Sequence, residues 1–300
     1  MAANIQLMRL MNYHLSENIV KHNFWLLGIT GALIAIHINA VWKFDGDIDK
    51  ITISGICWGV VLLLLSKKHQ IALQSNAVAS FVGLVLILLP LIRSMFVHIP
   101  NDILVEISPL ITFLGLGMLT SGFKGLKQYW QEAIVIFTLV LPQVVVSSIV
   151  DRFTELNAIA AHFAYFLLWY GGFDVQLQGV NVVLPTGSVE VYAGCSGLVP
   201  MLIMFKLSVL FLVMFPTKTV DKVFLPTLAV FIAFIVNGIR IALMAVLVAF
   251  SNLETFKYWH EGDGSQIFSL VSILIFGLFC RFLLQQGNVE DYKLQKLKQL

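Results

Sequence analysis

The chain has 300 residues, 58% hydrophobic and 12% charged, with a formal net charge of +2. Soluble domains carry about 25% charge and 45–50% apolar residues, so this composition excludes a soluble globular domain and a disordered chain. The small net charge points to no nucleic-acid partner, and the length admits about eight membrane helices of about 20 residues each with short loops, leaving no room for a separate soluble catalytic domain.

Apolar runs occur at 24–41, 51–65, 77–92, 103–119, 132–150, 156–171, 195–215, 223–250 and 265–284. The first follows Lys21 and lacks a small-x-small cleavage site, since Ile38-Asn39-Ala40 has Ile in the wrong place; it reads as a retained helix. If all nine runs span, the basic loops of the two halves fall on opposite sides. If 156–171 lies in the membrane interface, eight spans remain and both termini are cytoplasmic. Twelve basic residues then face the cytoplasm, among them Lys67, Lys68, Lys124, Lys127, Lys218 and Lys222. Five face outward: Lys43, Lys50, Arg93, Arg152 and Lys257. The positive-inside rule favours that arrangement. The run 156–171 is short, carries His162 and ends in aromatics and Gly-Gly, as interfacial helices do. The expected fold is therefore an all-α polytopic membrane protein of about eight transmembrane helices, forming one integral membrane domain.

After that run, Phe173 to Gly194 alternates polar and apolar residues, with Gly179 and Pro185-Thr186-Gly187 as turn signals. The pattern predicts two short strands joined by a turn. The resulting organisation is a multi-span scaffold over 1–150, an outer-face interfacial helix and hairpin over 151–194, polar-decorated transmembrane helices over 195–284, and a mildly basic cytoplasmic tail over 285–300.

Polar groups stand out on the last three spans. Cys195 lies in Ala193-Gly194-Cys195-Ser196-Gly197 at the expected start of a helix, where the positive end of the helix dipole favours a thiolate. Cys57 and Cys280 lie in apolar runs and read as small buried hydrophobes; three scattered cysteines form neither a disulfide framework nor a zinc motif. Arg240 lies inside an apolar run that contains no carboxylate, with Asn237 one turn earlier on the same face. A buried arginine there needs a partner from another element or a polar cavity, and Asn237 is placed to accept from it and donate elsewhere. His260, after Tyr258-Trp259 and before Glu261-Gly262-Asp263-Gly264, is suited to proton transfer. Gly264 occupies the position where a zinc helix would need a second histidine, so no metal is expected. Lys206 lies about 16 Å deeper than Cys195 along its helix and receives no role.

Thiol, imidazole and guanidinium together suffice for acyl transfer, but one depth is awkward. Arg240 is roughly 15 Å from the end of its run. It meets the others only if Cys195 is recessed, or if the helix ends before Phe250.

These stretches resemble the exosortase/archaeosortase transpeptidases, and within them the cyanobacterial exosortases. Cys195-Ser196-Gly197-Leu198 is similar to that family's nucleophile segment, Asn237-Gly238-Ile239-Arg240-Ile241 to its Asn-x-x-Arg-Ile motif, and His260 to its third catalytic position. The run from His260 to Ser265 resembles the cyanobacterial branch, and the matched region covers roughly 155–275. Gly194 before the cysteine and Val199-Pro200 after Leu198 depart from the common pattern. The resemblance implies a membrane cysteine peptidase or transpeptidase without cofactor. It would cleave Pro-Glu-Pro-type C-terminal sorting signals of exported proteins through a thioester. Cys195 would be nucleophile, Arg240 the charge stabiliser and His260 the proton carrier, with Asn237, Ser196 and Gly197 in support. Two rivals use the same residues. Gly194-Cys195-Ser196-Gly197 also satisfies a serine-protease pattern with Ser196 as nucleophile. A transporter would use Arg240 and Lys206 along an anion path, although such proteins commonly show paired broken helices in both halves.

Overall fold

The computed structural model describes residues 28–43, 48–68, 72, 74–96, 103–141, 143–250, 252–260 and 264–298. Residues 24–27 of the first apolar run, and Glu261, Gly262 and Asp263 after His260, lie outside the described residues. The chain separates into two compact units, Met1–Val140 and Leu141–Leu300.

The first unit contains helices α1 (28–43), α2 (Ile48–Lys67), α3 (Ala77–Phe96), α4 (Ile103–Glu106), α5 (Ser108–Gly125) and α6 (Trp130–Leu139), with a 3-10 turn Leu126–Tyr129 before α6. Helices α3 and α5 pack backbone against backbone: a Cβ on Gly83 would lie 2.6 Å from the Gly115 carbonyl oxygen, and one on Gly115 would lie 2.8 Å from that of Gly83. Such close crossings carry helix association in lipid, where van der Waals contact replaces the hydrophobic effect. Helix α6 packs against α2, where Lys68 meets the fully buried Glu132 at 2.7 Å. Lys68 also donates to the Gln128 carbonyl.

The expected span at 132–150 is two helices. Helix α6 stops at Leu139 and α7 (Gln143–Phe153) starts anew, because Pro142 lacks the N–H that a continuous helix requires. Among the described residues, four helical stretches are long and apolar enough to cross a membrane: Ile48–Lys67, Ser108–Leu139, Asp221–Ala249 and Gly264–Gln286. Ala77–Arg93, Leu156–Tyr170 and Leu198–Met214 are shorter apolar helices.

The second unit holds α7, α8 (Leu156–Tyr170), a small sheet, α9 (Leu198–Met214), α10 (Asp221–Ala249), α11 (Leu253–His260) and α12 (Gly264–Lys298). Helix α10 is its axis, contacted by α8, α9, α11, α12 and the sheet. Helix α8 buries Ala160, Ala161, Ala164 and Leu168, and its Phe163 ring meets Phe234 of α10 at 5.3 Å. The interfacial reading of 156–171 did not foresee this packing along the middle of α10. Helix α12 exposes Leu270, Leu274 and Leu278 along one stripe and buries Phe276 and Cys280 on the other side. Its apolar outer surface fits contact with lipid.

The alternating segment forms three strands rather than two: β1 (Gln176–Gln178), β2 (Asn181–Leu184) and β3 (Gly187–Glu190), antiparallel in the order β1-β2-β3. The Gly179-Val180 pair is itself a hairpin turn, with Gly179 at φ +63 as tight antiparallel loops require. Pairing of Val182 with Val189 and of Leu184 with Gly187 turns Val182, Leu184 and Val189 inward. That face lies against the end of α10, where the Thr186 hydroxyl donates to the Ala249 carbonyl at 2.6 Å.

Candidate active site

The segment leading into α9 is a turn. Cys195 N donates to the Tyr192 carbonyl at 2.8 Å, and Gly197 adopts φ +89 as the residue preceding the helix. Glycine takes that left-handed conformation without the steric cost of a Cβ. Cys195 thus lies three residues ahead of the first helical residue, Leu198, rather than within the first turn. Pro200 in that first turn costs no helical hydrogen bond.

Beyond Ala249 the chain reverses. Asn252 N donates to the Leu247 carbonyl at 3.0 Å, and Asn252 Oδ1 caps α11 by accepting from Thr255 N at 3.2 Å, as asparagine does at helix starts. Helix α11 therefore returns beside α10 and ends on His260. There the imidazole Nε2 lies 3.2 Å from Cys195 Sγ. The imidazole stacks on Phe256, with ring centroids 5.1 Å apart and planes inclined by 13°, and a Tyr192 ring lies 6.3 Å away. Neither aromatic was singled out by motif reasoning. The signal for Phe256 was its position four residues before a histidine on a short helix.

Arg240 Nη2 donates to the His260 carbonyl at 2.8 Å. The partner demanded for an arginine in an apolar helix is thus a main-chain oxygen, one of the carbonyls left unsatisfied where α11 ends. Asn237 Nδ2 donates to the Cys195 carbonyl at 2.9 Å, and Asn237 is buried. The expected bond from Arg240 to Asn237 does not form: Arg240 Nε and Asn237 Oδ1 are buried and have no hydrogen-bond partner among the described residues. Gly197 touches the same amide, for a Cβ there would lie 2.7 Å from Asn237 Nδ2.

Two neighbouring residues of α10 therefore hold the two segments that carry the thiol and the imidazole. Asn237 holds the Cys195 turn and Arg240 holds the end of α11. The depth conflict is resolved by recession. Helix α10 runs on to Ala249, about 14 Å beyond Arg240, flanked by the sheet and α8, so the Cys195 turn sits well inside the end of the helix. Ser196 is buried too, but its hydroxyl donates to the Ala193 carbonyl at 2.9 Å and accepts from Leu198 N at 3.4 Å. The histidine is on the thiol. Lys206 is half-buried within α9, eleven residues beyond Cys195. Cys57 and Cys280 are buried.

The profile of a transmembrane exosortase family matches residues 47–277, more than three quarters of the chain and both of its compact units. No curated protein and no solved structure matches significantly. With its several apolar helices, the chain is a multi-pass membrane protein, and it belongs to the transmembrane exosortase family.

Proposed function

We propose that this protein is a membrane cysteine transpeptidase or protease that cleaves C-terminal sorting signals of exported proteins through a thioester on Cys195. The contact of Cys195 Sγ with His260 Nε2 at 3.2 Å carries the reading. A thiol and an imidazole at that distance can exchange a proton, and the thiolate is the nucleophilic form. The thiolate attacks the carbonyl carbon of the scissile peptide, and a tetrahedral oxyanion forms. Arg240 stabilises that charge as a fixed donor. Collapse breaks the C–N bond, His260 protonates the departing amine, and the acyl group remains on sulfur. A second amine, or water deprotonated by His260, then releases it. Family membership supports sorting-signal proteins as substrates. Of the finer readings, the Pro-Glu-Pro type of signal and the cyanobacterial branch rest on the motif resemblance, above all on the run from His260 to Ser265. The active site faces outward in the cytoplasmic membrane with both termini inside, on the distribution of basic residues.

The test is mass spectrometry of the enzyme trapped with a sorting-signal reporter. Cys195→Ala should accumulate unprocessed reporter, Ser196→Ala should be impaired at most partly, and Cys57→Ala and Cys280→Ala should process normally. A covalent adduct on Ser196, or full processing by Cys195→Ala, refutes the thiol mechanism and favours a serine protease.

A further inference from the structure

Two orphaned polar atoms belong to the side chains that hold the Cys195 and His260 segments. Arg240 Nε is a donor, Asn237 Oδ1 is an acceptor, and both are buried without a hydrogen-bond partner among the described residues. Buried polar groups are nearly always satisfied, and the exceptions call for an explanation. Neither atom is idle for want of order in its side chain. Arg240 is fixed through Nη2 to the His260 carbonyl at 2.8 Å, and Asn237 through Nδ2 to the Cys195 carbonyl at 2.9 Å. Each side chain spends one end on the segment it holds and leaves the other end buried and unpaired among the described residues.

Residues three apart on a helix are surface neighbours, with Cβ atoms roughly 5–6 Å apart. A trans peptide group, with a hydrogen bond of about 2.9 Å at each end, fits between one donor and one acceptor carried by such side chains. We infer that Asn237 and Arg240 together form a docking site for one peptide group of the substrate main chain, its carbonyl oxygen accepting from Arg240 Nε and its N–H donating to Asn237 Oδ1. The site reads backbone and not side chain, so it serves signals of varied sequence. It has one sequence consequence. A proline nitrogen carries no hydrogen, so proline does not supply the nitrogen of the docked peptide group. Asn237 then has two duties, holding the nucleophile's turn and holding the substrate.

This inference rests on Cys195 being the reactive thiol, and the test separates the two. N-methyliodoacetamide and methyl iodoacetate have the same size and leaving group and differ by N–H against O. Full-length protein in detergent is treated with each reagent, alkylation of Cys195 is followed by mass spectrometry, and the rates are divided by those for glutathione. The normalised rate should favour the amide by about tenfold, the effect of leaving one buried acceptor unpaired. Asn237→Leu should bring that preference to within twofold. Arg240→Lys should slow both reagents alike and keep the preference, because both carry the carbonyl. Labelling of Cys195 with no amide preference in the unmodified protein overturns the docking site and leaves the nucleophile intact. No labelling of Cys195 by either reagent overturns the nucleophile and the docking site with it. The wild-type comparison needs no variant, so a misfolded Asn237→Leu does not spoil it.

Discussion

Gly197→Ala tests the coupling between the α9 turn and α10. Gly197 sits at φ +89, where an L-residue loses about 1–2 kcal/mol. Its new methyl would also lie 2.7 Å from Asn237 Nδ2 and 2.9 Å from Asn237 Cγ. Those contacts are too short to persist, so the amide must move. Its hydrogen bond to the Cys195 carbonyl, worth about 1 kcal/mol, then weakens or breaks. Gly172 and Gly179 supply the control. They have φ +81 and +63, and a Cβ on either meets nothing within 4 Å, so their alanine variants carry the backbone strain without the collision. All three variants should lose thermal stability, Gly197→Ala more than the controls by about the 1 kcal/mol of the broken hydrogen bond. Only Gly197→Ala should slow iodoacetamide labelling of Cys195 and processing of a sorting-signal reporter, each by tenfold or more. If Gly197→Ala labels Cys195 within twofold of wild type, or if the control variants slow it equally, the proposed dependence of the thiol on the Asn237 amide is wrong.

Three further outcomes are expected. Arg240→Lys should lower processing by two to three decades, since a fixed oxyanion donor is worth about 3–4 kcal/mol and lysine cannot cap α11 and reach the substrate with one ammonium; processing within twofold of wild type would make Arg240 purely structural. Lys68→Met should destabilise the first unit by roughly 3–5 kcal/mol, because it strands the buried Glu132 carboxylate, whereas Lys68→Met with Glu132→Leu should recover most of the loss; thermal stability of purified protein reads both, and equal stability of the single and double variants would show that the pair is not coupled. A reporter fused after Leu300 should report cytoplasm and one inserted within 173–190 should report the outer side; a cytoplasmic signal from the insertion would reverse the proposed orientation.

Composition alone determined that this is a membrane protein, because a chain so poor in charge cannot stay soluble and the apolar runs match the thickness of a bilayer. Spacing and residue type likewise singled out Cys195, Asn237, Arg240 and His260, since each is chemically expensive or unusual in its local setting and stands out without coordinates. Local chemistry also reached the turns, although Gly179-Val180 was read as part of one hairpin when it joins a third strand. What sequence could not supply was the route by which distant segments meet. Arg240 seemed too deep because depth was counted along one helix. The reversal after Ala249 returns α11 beside α10, and the sheet and α8 flank the last turns of α10, so the cysteine turn lies recessed. The partner of Arg240 was equally hidden, because a main-chain carbonyl leaves no mark in residue identity. The expectation of one span over 132–150 passed over Pro142, which marks the break between α6 and α7. The packing of α8 along α10 was not legible, because an apolar helix of that length has the same pattern whether it lies at an interface or against a neighbour. Pairing of the thiol with the imidazole, across 65 residues of sequence, is a property of tertiary packing: Asn237 and Arg240 set the positions of both segments from a single helix.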